Sequence, residues 1–291
     1  VRATEPVTGL SPAPGPAATS SVDDSAVAVL GRLSAALDDL PAQRPVAARV
    51  IAETDDVRSD ARSLGHTLGF DPALTAKVLR LANSAYFGLS GRVGAPSFAI
   101  TVVGFATVRS LAVAAMAGLE DTPAVLESFW ERSLLTAVAA GEIAARLGVK
   151  APDAFSLGML SRLGQALLVR CDPEHYPALL AAAGDREELL EAENRRYGVT
   201  HTRVSAEALA AWSFPEDLAH ALSQVDRAGW AVPLAVAVRV GLELSERIVD
   251  PAHTPRPVEH LTSGHVREAE LDALRLPVQR TAADMVRLLT S

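Results

Sequence analysis

The sequence predicts an all-α protein, on three observations. Ala, Leu and Val dominate the 49% of the 291 residues that are hydrophobic, and Ala and Leu are among the strongest helix formers. Aromatic residues make up only 4% of the chain, and strand-favouring Ile, Tyr and Thr are sparse. Apolar residues recur at spacings of three and four, the period of one helix face, and no run of strand-like alternation interrupts them.

Residues 1–22 are rich in Pro, Ala, Gly, Thr and Ser and lack apolar periodicity, so a disordered leader is expected there. No apolar stretch follows a basic start, so no signal peptide is expected. From Asp23, the positions Val27, Leu30, Leu33, Leu37 and Leu40 mark a helix that Pro41 should stop. Helices are expected next at 46–54 and from Asp60 to about Gly69. Asp71-Pro72 is a helix start, an N-cap acid followed by proline at the first helical position. Behind it Leu74, Val78, Leu81 and Ala85 fall on one face, which should be buried.

A Gly-rich turn at 88–96 leads to two apolar helices flanking Gly104. The stretch 99–119 is apolar enough to suggest a membrane span. Arg109 at its centre and Gly104 within it favour a buried, broken pair instead, because charge at a bilayer midplane is costly. No membrane span is expected. After a break at 120–123, helices are read at 125–147, 153–170, 176–183, 186–197, 202–212, 216–225 and 233–248. Pro251, Pro255 and Pro257 form a linker before an amphipathic stretch at 267–289. The expected organisation is a leader (1–22), two packed helical subdomains (23–119 and 122–249), and a linker with a C-terminal helix (250–291).

The formal net charge of −8 repels nucleic-acid phosphate overall. Residues 60–83 mimic a helix-turn-helix, but only Lys77, Arg80 and Asn83 suit a DNA-reading face, so DNA binding is not expected. The single cysteine, Cys171, excludes an internal disulfide and a Cys-based zinc site. It reads as a buried, inert thiol.

Two segments carry a family signature. The first runs from Asp71-Pro72 through Leu79-Arg80-Leu81-Ala82-Asn83-Ser84-Ala85-Tyr86-Phe87-Gly88, followed by Val103-Gly104-Phe105 and Val108-Arg109. The second comprises Phe129-Trp130, Leu157-Gly158-Met159-Leu160, Leu163-Gly164, His201 and Trp212-Ser213-Phe214-Pro215. Together they resemble the HDOD family over roughly residues 40–249. The resemblance implies that the second subdomain is an HD-like helical bundle, and that the chain is a bacterial, cytoplasmic signalling or regulatory module.

HD-type phosphohydrolases gather histidines and acids around one or two metal ions, which activate a water and stabilise charge on a phosphoryl oxygen. Aligned on the resemblance, this chain lacks those ligands. Ser161-Arg162 stands where the His-Asp pair is expected, Arg132 replaces an earlier histidine, and Ser223-Gln224-Val225 replaces later ones. Gln165 stands where a lysine often follows the glycine, and only His201 occupies a family histidine position. One imidazole beside two guanidiniums repels a divalent cation rather than holding it. No metal, cofactor or catalytic residue is therefore expected.

Arg132, Ser161, Arg162, Gln165 and His201 instead form a candidate anion or partner pocket, since guanidinium presents a bidentate fork to oxyanions. The alternative has the arginines paired internally, with Glu131, Glu142 or Asp153 as the nearby acids. Ser161 beside His201 does not make a nucleophile, because no oriented acid or oxyanion motif accompanies them. A lone histidine opening an apolar helix is by itself more in keeping with a cap or core residue. The expected function is a non-enzymatic module acting on an unidentified signalling protein or a small anionic ligand. Residual phosphohydrolase activity and DNA binding through residues 60–83 are the alternatives.

Overall fold

The computed structural model describes residues 24–290, apart from Ser90, 119–122, Ser213 and 228–230. The leader expected at 1–22 lies outside them, as does most of the break at 120–123. The described residues form helices and no strands.

The N-terminal half holds α1 (Asp24–Gln43), α2 (Pro45–Asp55), α3 (Ala61–Leu68), α4 (Pro72–Ala82), α5 (Pro96–Val103) and α6 (Phe105–Met116). Asp71 caps α4 by accepting the Leu74 N–H at 3.0 Å, and Leu74, Val78 and Leu81 are fully buried. Asn83 then fixes the following turn. Its amide donates to the carbonyls of Leu79 and Val93, and its oxygen accepts the Val93 N–H.

Helices α5 and α6 meet at 107°, with Gly104 at φ +81, ψ 157, a conformation closed to residues with a side chain. Among the described residues no single helix is long and apolar enough to cross a membrane. Every residue of α6 from Thr107 to Met116 is buried. Arg109 belongs to this core. Its guanidinium donates to the hydroxyl and the carbonyl of Thr54 at the end of α2, both at 2.7 Å, and lies over the Phe214 ring.

The second half contains α7 (Pro123–Ile143), α8 (Ala151–Leu160), α9 (Leu163–Cys171), α10 (Tyr176–Ala182), α11 (Arg186–Tyr197), α12 (His201–Ala211), α13 (Glu216–Ser223) and α14 (Pro233–Val249). Helix α7 packs between α8 and α14. The short α15 (Val258–Thr262) and the long α16 (Glu268–Thr290) follow. Helix α16 lies on α7 and α14, and on α4 of the first half. Arg80 donates to the Leu288 carbonyl across that joint at 3.0 Å. The halves share one continuous core, in which Tyr86 stacks on Phe155 of α8 and Phe87 meets the same ring edge-on.

Two expectations about helix ends are corrected. Pro41 does not stop α1, which runs on to Gln43; the carbonyl that proline leaves without its helical donor, that of Leu37, accepts the Trp212 indole N–H. The single helix expected at 153–170 is two, α8 and α9, broken at Ser161-Arg162. There the Ser161 hydroxyl bonds the Gly158 carbonyl at 2.7 Å, the local competition with the backbone that serine favours.

Candidate functional site

The break after α8 puts Arg162 at the mouth of α9, facing Arg132 of α7 and Glu246 of α14. One carboxylate holds both arginines: a Glu246 oxygen accepts from Arg132 Nη1 at 2.6 Å, and the other accepts from Arg162 Nη2. The internal partner is thus Glu246 rather than Glu131, Glu142 or Asp153. Burial alone would raise the Glu246 pKa, but Arg162 and Arg132 override it and bring it down to about 2. Burial lowers the Arg162 guanidinium pKa as well, with the Glu246 attraction only partly offsetting this.

These three residues line a cavity of about 350 Å³ together with Gln165, Arg186 and His253. Phe129, Val169, Leu180 and Leu189 supply an apolar wall. Two donors on lining residues have no hydrogen-bond partner, Arg162 Nε and Gln165 Nε2, although both side chains are more than nine-tenths buried. Unsatisfied buried donors are uncommon and costly. Arg132 is about one-third exposed, and Glu246 receives one of its terminal nitrogens.

The segment 250–257 closes one side because fully buried Glu243 pins it. Glu243 accepts from Arg247 Nε, from the Arg256 backbone and side chain, and faces His253 Nε2 at 3.1 Å. Arg247 in turn pairs with Glu268 at the start of α16.

Of the candidate residues, Arg132, Arg162 and Gln165 line the cavity. Ser161 and His201 do not. Ser161 is turned back onto Gly158. His201 is fully buried behind Arg186, with its backbone N–H and Nδ1 on the Glu193 carboxylate at 2.7 and 2.9 Å. Glu193 also accepts the Tyr176 hydroxyl at 2.6 Å. His201 Nε2 lies 3.3 Å from Arg186 Nη1. Arginine only donates, so Nε2 accepts and the ring is neutral with its proton on Nδ1, a tautomer assigned from these partners. Burial, resisted by Glu193, lowers the His201 pKa in the same sense. Gly164 permits this packing: a Cβ there would sit 1.9 Å from the His201 carbonyl oxygen.

The donor set does not fit a metal ion. The one family histidine has its Nε2 lone pair on a guanidinium, and Arg132, Ser161 and Arg162 offer no ligand. Among the described residues no three His, Cys, Asp or Glu side chains converge as a ligand set.

Sequence reasoning missed Arg186, Glu246 and His253. A signal for Glu246 existed: α14 is apolar through most of its length, so Arg239, Glu243, Glu246 and Arg247 on it required internal partners. Arg186 opens the most polar helix of the chain and carried no such signal.

Helices in this order define an HD-like helical domain. The HDOD domain family matches residues 40–228, and the chain belongs to that family. Among solved structures it is similar to a candidate phosphohydrolase from Shewanella amazonensis, with 24% identity, 90% of this chain and 98% of that one covered, and a TM-score of 0.68. It is also similar to a candidate signal transduction protein from Marinobacter aquaeolei, with 19% identity, 93% and 68% covered, and a TM-score of 0.67. An HDOD domain protein from Geobacter sulfurreducens gives 18%, 88% and 99%, and 0.62. At these identities the likeness carries the fold. An uncharacterized protein of Treponema pallidum is 27% identical over 187 residues, which are 62% of this chain and 36% of that protein. The chain therefore spans about a third of the length of that relative.

Proposed function

We propose that this chain is a non-enzymatic HDOD signalling module that binds a small anionic ligand in the cavity between α7, α9, α11 and α14. The observation that carries the reading is a cavity on which Arg132 and Arg162, sharing the Glu246 carboxylate, come together with Arg186 beside an apolar wall. Of the lining acids, Glu246 is taken by Arg132 and Arg162, and Asp185 and Asp250 accept from the Glu188 and Ala252 backbone N–H groups, so an oxyanion is the group that the three lining guanidiniums can still bind. The Shewanella relative's name speaks for hydrolysis in that protein. For this chain, lining arginines without a convergent ligand set among the described residues support a binding role.

Calorimetry with phosphate esters and nucleotides tests the reading. Binding should weaken with salt and disappear in an Arg132→Ala, Arg162→Ala double variant; unchanged binding in that variant would sink it. Purified protein should carry no stoichiometric Mn, Fe or Zn by elemental analysis and should hydrolyse no phosphate ester. DNA binding through residues 60–83 is disfavoured because α4 packs on α5, α6 and α16, with Arg80 held by the Leu288 carbonyl.

A further inference from the structure

The Arg186 side chain is about one-tenth exposed and is held from three sides. Its Nε and Nη2 donate to Asp226 Oδ1 at 2.9 and 2.7 Å, Nη2 reaches the Thr202 hydroxyl at 3.1 Å, and Nη1 faces His201 Nε2 at 3.3 Å. Behind it the chain of bonds continues from His201 to Glu193 and Tyr176, all fully buried. Asp226 takes two of the five guanidinium hydrogens, Thr202 and His201 one each, and Nη1 keeps one over. Arg186 also lines the cavity that holds Arg132 and Arg162.

The one imidazole at a family histidine position therefore turns its accepting nitrogen, Nε2, to a guanidinium. From this geometry we infer that Arg186, fixed by His201 and Asp226, is a tethered cation standing in for the metal, and that it selects an organic oxyanion with an apolar body. The inference rests on the anion-binding reading of the cavity and adds to it a third binding group and a ligand class. The head of such a ligand meets Arg186, Arg162 and Gln165, while its body covers Phe129, Leu180 and Leu189. A guanidinium keeps its charge across the physiological range and cannot be chelated away. His201 touches no ligand; it is a positioning residue that fixes where the charge sits.

Titration of the protein with phenyl phosphate and with inorganic phosphate tests this. Wild type should bind phenyl phosphate more tightly than phosphate, because the ring buries apolar area. Arg186→Met should weaken phenyl phosphate binding at least about tenfold, the scale of one charge-assisted hydrogen bond, and Arg186→Lys should restore part of it. His201→Ala should weaken binding while leaving the preference for phenyl phosphate intact. If a variant fails to fold, the wild-type 15N arginine spectrum decides. The Arg186 resonances should shift on adding phenyl phosphate, and the His201 ring should show a protonated Nδ1 with an unprotonated Nε2.

Wild type that binds phenyl phosphate while Arg186→Met binds it equally well would overturn the inference and leave the anion-binding reading standing. Equal affinity for the two probes would overturn the organic ligand class. No binding of either probe by wild type would remove the anion-binding reading itself, and the inference with it.

Discussion

Trp212 donates its indole N–H to the Leu37 carbonyl oxygen at 3.0 Å, across 175 residues. The bond joins the first helix to the end of α12, and it exists because residue 41 is proline. In an uninterrupted helix the N–H of residue 41 would take that carbonyl. Proline has none, so the oxygen is left for a tertiary donor.

Trp212→Phe should therefore cost about 1–3 kcal/mol in urea unfolding, the range for a buried polar group losing its partner. The cost should shrink in a Pro41→Ala background, where the residue 41 N–H becomes available. Equal costs in both backgrounds would mean that the loss comes from packing alone.

Leu81 lies in the core of the N-terminal half with no accessible surface. Leu81→Ala should lower unfolding free energy by about 2–5 kcal/mol, the range for a buried leucine leaving a cavity. A change below the bottom of that range would show that the face is not a packed core.

Gly164→Ala places a methyl carbon 1.9 Å from the His201 carbonyl oxygen, where backbone must move for it to fit. The expected loss is about 3 kcal/mol or more, at the upper end for overpacking. The same shift should disturb the His201–Arg186 contact, seen as a change in the His201 imidazole 15N shifts. A variant of wild-type stability with unchanged shifts would contradict the close approach of α9 and α12.

Glu246 has its pKa lowered from 4.5 to about 2. A depressed carboxylate stabilises the fold above its unfolded pKa, and the gain is lost as pH falls through the folded value. Stability should thus decline between about pH 5 and pH 2, with up to about 3 kcal/mol from this group. Glu246→Gln should be less stable at neutral pH, because two arginines then face each other, and should show a flatter decline in that window. Parallel curves for variant and wild type would locate the acid sensitivity elsewhere.

Local signals were legible in the sequence. Asp71-Pro72 announced α4, and the three-and-four spacing of Leu74, Val78 and Leu81 marked its buried face. Arg132, Arg162 and Gln165 were found because the family pattern expects other residues there. What stayed hidden depends on contacts far apart in the chain. Glu246 is separated from Arg162 by 84 residues and from Arg132 by 114, so no window of sequence pairs them. Pro41 misled because a helix tolerates proline when another group takes up the stranded carbonyl. Ser161 and His201 were placed in the pocket by their motif positions, but which way a side chain turns is decided by its neighbours, Gly158 for one and Glu193 for the other.

The seating of α16 against α4 also sets an order of events during synthesis. Arg80 and Leu288 are 208 residues apart, so at ribosomal speed roughly ten to forty seconds separate their appearance. Through that interval the surface of α4 that receives α16 has no cover. The nascent N-terminal half must wait in this unfinished state, and that interval is when a chaperone or a second nascent chain has access to it.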